Sequence, residues 1–135
     1  MWFARLALVL VAALLAGCPD EPAVSTTPYP WDEDGTVLNQ LAQAGSNMEQ
    51  AHVIQFLLYF PTEAQASAAA KSVGELSAGI LPEVHPAKDG DDWLCLGILP
   101  MVPEHAELAA LRVEFKTIAT ANSGKYDGWQ TSLVE

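Results

Sequence analysis

The chain has 135 residues, half of them apolar, and a formal charge of −11 from 17 acidic against six basic side chains. That length is the usual size of one domain, and an acidic excess of this size excludes direct binding to a phosphate backbone. It suits a basic protein partner, and plain solubility accounts for it equally well.

At the N-terminus, Met1 to Arg5 carries one positive charge, Leu6 to Leu15 is an unbroken apolar run, and Ala16-Gly17 are small, the three-part layout of an export signal. The run is too short to span a bilayer, which takes about 20 apolar residues. Leu15-Ala16-Gly17-Cys18 resembles the lipobox of bacterial lipoprotein signals, in which the cysteine thiol receives a diacylglycerol and becomes the new N-terminus. Residues 1–17 are therefore expected to be a lipoprotein signal peptide and Cys18 the lipidation site. Losing Arg5 with that segment takes the charge to −12. Residues 18–32 hold Pro19, Pro22, Pro28 and Pro30 among small and acidic residues, an extended and semi-rigid tether. The implied location is the extracytoplasmic face of a bacterial membrane, with a folded domain over 33–135.

In that domain, "DGTVLNQLAQAG" predicts a short helix capped near Asp34 and stopped by Gly45, with Val37, Leu38, Leu41 and Ala44 on one side. "AHVIQFLLYF" is apolar on both alternations, as a central strand covered on both faces would be. Thr62-Glu63-Ala64-Gln65 fits a capping box in which Thr62 caps the first turn and Gln65 reaches back. The helix it opens carries Ala66, Ala69, Ala70, Val73 and Leu76 at helical spacing, small enough to lie close on a sheet, and Ala78-Gly79 is its expected stop.

"ILPEVHP" is an extended segment whose Pro82 and Pro86 place both missing N–H groups on one side, so it belongs at a sheet edge with that side outward. Asp89-Gly90 is a strong hairpin signal, and "DWLCLGILP" after it predicts an inner strand. Cys95 in that strand is expected to be an inert buried thiol. Pro103 and Glu104 suit the first turn of a helix with a core stripe of Leu108, Leu111, Phe115 and Ile118, ending near Asn122 to Gly124. "YDGWQTSLV" alternates Trp129, Thr131 and Leu133 against Gln130 and Ser132, a half-buried last strand.

The sequence order is a helix followed by βαββαβ, which predicts an α+β, ferredoxin-like two-layer sandwich with an extra N-terminal helix and strand order 4-1-3-2.

Tyr126-Asp127-Gly128-Trp129 has a purely structural reading: Asp and Gly favour a tight entry into the last strand, and the aromatics supply packing area. After a helix ending in "ANSGK", however, "YDGW" resembles the signature of the RraB family, regulator of ribonuclease E activity B. The resemblance extends over roughly Glu33 to Glu135 and implies a ferredoxin-like fold. It also implies a non-catalytic protein with no cofactor, which inhibits ribonuclease E by binding its regulatory region. The lipobox would put this copy across the membrane from that enzyme, so the expected function is a membrane-anchored protein-binding domain. Its acidic surface would dock on a basic segment of a protein partner, with Asp89, Asp91 and Asp92 as surface candidates. A cytoplasmic inhibitor of ribonuclease E is the alternative, and a small envelope enzyme on the same fold is another.

The residues give that enzyme little. His52, His85 and His105 share no metal-ligand spacing, and the Asp89-to-Asp92 turn lacks the remaining oxygen ligands of a calcium loop, so no metal is expected. There is no CxxC, HExxH, GxSxG or phosphate loop, and adjacent Glu104 and His105 diverge on a helix.

Overall fold

The computed structural model describes residues 28–76 and 79–135, so the expected signal peptide, Cys18 and most of the tether lie outside the described residues. The first described helix, α1 (Glu33–Gln43), is capped by Asp32, whose carboxylate accepts the Gly35 amide at 2.8 Å. The expected cap, Asp34, is instead buried on the helix's inner side with Leu38 and Leu41. Gly45, at φ 91°, ends the helix in the left-handed conformation that glycine adopts without strain.

Strand β1 (His52–Phe60) is followed by α2 (Glu63–Gly74). Thr62 caps α2 through the Gln65 amide at 3.2 Å, and the Gln65 side chain takes the Thr62 hydroxyl at 3.1 Å, so it returns to the side chain of its cap residue. α2 stops at Gly74, before Leu76 and the expected Ala78-Gly79. β2 (Leu81–Pro86) and β3 (Trp93–Met101) form the predicted hairpin, then come α3 (His105–Ala121) and β4 (Lys125–Gln130). Glu104 caps α3 from just outside it, without a side-chain bond.

The four strands form one antiparallel sheet in the order β2-β3-β1-β4, the expected 4-1-3-2 arrangement, with the proline-bearing strand at one edge. β1 pairs with β3 along its whole length, Phe56 opposite Gly97 and Leu58 opposite Cys95. Trp31–Glu135 is one compact unit.

The core lies between the sheet and the helices. Ile54, Phe56, Leu58 and Phe60 of β1 point into it with Cys95 and Leu99 of β3, and all are buried. They meet Ala66, Ala69 and Val73 of α2 and Leu108, Phe115 and Ile118 of α3. The Phe56 and Phe115 rings meet at 4.5 Å and 30°, a tilted pair. Small residues set the helix–sheet spacing: a Cβ on Gly97 would stand 3.4 Å from Val73 and 3.5 Å from Ile80, so α2 sits directly on that glycine.

Two expectations fail here. Among the described residues β1 is not covered on both faces: its alternate residues Val53, Gln55, Leu57 and Tyr59 are exposed or half-buried, because the described helices pack on one face only. And the last strand stops at Gln130 rather than running to Val134, leaving Leu133 exposed. The reason is local. The Thr131 hydroxyl donates to the Val53 carbonyl at 2.8 Å, and the tail turns to Ser46 and Asn47, the Asn47 amide donating to the Val134 carbonyl at 2.6 Å.

Candidate functional site

The Tyr126-Asp127-Gly128-Trp129 segment is half of a β-bulge. Phe56 pairs with Trp129 and Leu58 with Tyr126, so Leu57 alone faces two residues, Asp127 and Gly128. Gly128 takes φ 97°, open to glycine and strained for any residue with a Cβ. The extra residue lets both Tyr126 and Trp129 point inward while Asp127 projects into solvent.

Each inward aromatic is tied to another element. Tyr126 stacks on Phe115 of α3, ring centroids 5.5 Å apart. Its hydroxyl is buried with no hydrogen-bond partner, and burial, with Asp34 and Glu33 nearby, raises its pKa well above the ordinary phenol range. The Trp129 indole N–H donates to Asp34 Oδ1 of α1 at 3.0 Å. Arg112 of α3 meets Asp34 Oδ2 at 2.9 Å as an ion pair, off the axis of a hydrogen bond. One buried carboxylate thus joins α1, α3 and β4.

Around this corner lies a shallow depression of about 530 Å³, walled by Asp32, Glu33, Asp34 and Asp127 together with Tyr126 and Trp129. His105 Nε2 stands 2.8 Å from Asp32. The Gly35 amide bond first, then the His105 contact, hold the Asp32 carboxyl below its usual pKa. The Lys116–Glu33 pair at 3.2 Å is exposed on both sides and contributes little.

Arg112 is the residue that sequence reading missed. It is the only arginine after Arg5 and sits beside Leu111 of the expected core stripe. An arginine on the flank of a core stripe is the signal that an acid lies opposite.

The other candidates are spread over the fold. Asp89, Asp91 and Asp92 are exposed in the β2–β3 turn; Asp92 lines a small depression with Ser123, Gly124 and Lys125 where β4 begins, and none of the three lines the depression at Tyr126, Asp127 and Trp129. The histidines do not converge. His85 is exposed and paired with Glu83 at 2.9 Å on the helix-free face, and His105 is at Asp32. His52 is buried on the helix side, with Ser46 Oγ 2.7 Å from Nε2 and the Gln50 carbonyl 2.9 Å from Nδ1. Nδ1–H donating to that carbonyl leaves Nε2 to accept the Ser46 hydroxyl, which in turn receives the Val134 amide at 2.9 Å. The set is closed to solvent and ties the C-terminal tail to the end of α1. Among the described residues no three His, Cys, Asp or Glu side chains come together to hold a metal ion, and no helix is long and apolar enough to cross a membrane.

Cys95 is fully buried, and desolvation pushes its thiol up to about 11. The native chain is therefore expected to leave Cys95 unmodified by iodoacetamide at neutral pH and to label fully once unfolded in urea, read by peptide mass spectrometry. Labelling of the folded chain would mean that β3 opens.

The description of the family whose model matches the chain is RraB, regulator of ribonuclease activity B, and the match spans residues 31–131, from ahead of α1 to just past β4. No curated protein matches the chain.

Proposed function

The chain belongs to the RraB family, and from that membership we propose that it regulates a ribonuclease by laying an acidic surface of its βαββαβ domain on a basic segment of that enzyme. Proteins of this family are non-catalytic inhibitors of ribonuclease E. The observation that carries the reading is the extent of the match, which takes in every helix and strand of the described domain. Charge supports the same mode: from Tyr29 onward the chain has 15 acidic and five basic side chains, a net of −10. Exposed carboxylates in that excess attract a basic segment over about 10 Å at 0.1 M salt and about 3 Å at 1 M.

The expected result is measurable binding of the full chain to the regulatory region of ribonuclease E, weakening at least about tenfold between 50 mM and 500 mM salt as the charges are screened. Binding that is indifferent to salt would remove the acidic surface from the mechanism.

A second reading concerns place rather than mode, and Leu15-Ala16-Gly17-Cys18 favours it. With Cys18 lipidated, the same acidic domain works at the outer side of a membrane on a basic partner of the envelope. The mass of the mature N-terminus separates the two: a diacylated Cys18 assigns the protein to the envelope, and an intact Met1 assigns it to the cytoplasm with ribonuclease E.

A further inference from the structure

The sheet has two faces, and the described helices use only one. The other presents Val53 and Leu57 from β1, Leu94, Leu96 and Ile98 from β3, and Leu81 from β2. Val53 and Leu81 are each 56% exposed at the end of the sheet away from the β2–β3 turn, Gln55 lies beside Ile98, and Ile98, Leu96, Leu57 and Leu94 continue toward the turn half-buried. Contiguous apolar area of this kind on an antiparallel sheet marks an interaction surface more often than a bare solvent face, which alternation would have made polar.

We propose that this face is the docking surface for an amphipathic basic helix of the protein partner, apolar side down on β1 and β3, with its Lys and Arg side chains reaching the carboxylates at the margin. The inference rests on the reading of the chain as an RraB-type regulator and names the surface and the partner chemistry which that reading leaves open.

Dimensions fit a helix. Strands about 4.8 Å apart make the β2-β3-β1 strip about 10 Å wide, the diameter of one helix. Val53 to Tyr59 rises about 20 Å, which a helix covers in about 13 residues. Charge selects the occupant. Asp89, Asp91 and Asp92 stand in the turn at one end of the strip, and Glu83 lies on it beside His85; Lys88 in the turn and Lys125 on β4 leave the balance acidic. A second copy of this chain would bring its own −10 against that margin, whereas a basic helix neutralises it. Docking by strand addition at β2 is opposed by Pro82 and Pro86, which remove two backbone donors from that edge. The face is left as the apolar route in.

The test uses the full chain and two designed 14-residue helical probes, one of Leu and Lys and one of Leu and Glu in the same pattern, alongside the regulatory region of ribonuclease E. The Leu/Lys probe is expected to bind at least tenfold more tightly than the Leu/Glu probe. The double variant Val53→Lys, Leu81→Lys is expected to lose at least tenfold in affinity for it, and Val113→Lys, on exposed α3 surface, less than twofold. Both sheet positions are already open to solvent, so folding should persist; the milder pair Val53→Thr, Leu81→Ser repeats the test at an unchanged thermal midpoint. Equal binding of the two probes, no binding of either, wild-type affinity in the sheet variants, or self-association abolished by those variants would each overturn the proposal. Ribonuclease results separate the two inferences. If the sheet variants bind it as wild type does, this face is wrong and the family reading stands. If wild type binds the Leu/Lys probe on this face but not the ribonuclease, the face stands and the family reading fails.

Discussion

Gly124→Ala is expected to cost about 3 kcal/mol or more, at or beyond the upper end for forcing one carbon into a packed site. Gly124 ends the turn from α3 into β4, its amide donating to the Ala119 carbonyl at 2.8 Å. A Cβ there would overlap the ring edge of Phe60 and the carbonyl oxygen of Tyr59. Neither neighbour yields easily: Phe60 is buried in the core, and Tyr59 is held in the ladder opposite Lys125. Gly128→Ala is the comparison, because at φ 97° it meets backbone strain with no atom in the way, which costs about 1–2 kcal/mol. Urea unfolding of the two variants decides between these mechanisms, with the larger fall in midpoint at Gly124 and the slope unchanged. A Gly124→Ala chain as stable as wild type would mean that the turn is not seated on Phe60.

Gly124 also shows where sequence reading stops. "ANSG" reads as the end of a helix, and there Ser123 takes the left-handed conformation, at φ 63°, while the glycine is needed for space. Local pattern reports backbone preference; close approach is set by a strand more than 60 positions away. The order of elements and the edge position of β2 were legible because Pro82 and Pro86 act through their own backbone and the Thr62 hydroxyl through an amide only three residues on. The open sheet face was not. Leu57, Leu94, Leu96 and Ile98 are as apolar as residues covered on both sides, and composition does not distinguish a face buried within the chain from one that meets another molecule. Asp34 is hard to read for a related reason: in "DEDG" the two aspartates look equally fit to cap, and only the positions of Trp129 and Arg112 decide which one turns inward.

That inward turn makes Asp34 the second site of large effect. Asp34→Ala is expected to destabilise the domain by about 3–5 kcal/mol, the cost of removing one member of a buried ion pair. It strands the Trp129 N–H and the Arg112 guanidinium, whose side chain is itself only 21% exposed. Trp129→Phe keeps one aromatic ring but loses the indole N–H and the second ring, so about 1–3 kcal/mol is expected from the lost donor, with a further cost from the space left in the core. Arg112→Met leaves the carboxylate buried without its cation. In the double variant Asp34→Ala, Arg112→Met neither charge is left unpaired, so its loss should be well below the sum of the single losses. Additive losses would show that Asp34 and Arg112 are not coupled. The outcome also sorts the motif. Tyr126, Gly128 and Trp129 are each committed to stacking, the bulge or Asp34, whereas Asp127 projects outward. Asp127→Ala should therefore leave stability within about 0.5 kcal/mol, and a loss of partner binding in that variant reports contact at the motif itself rather than a damaged fold.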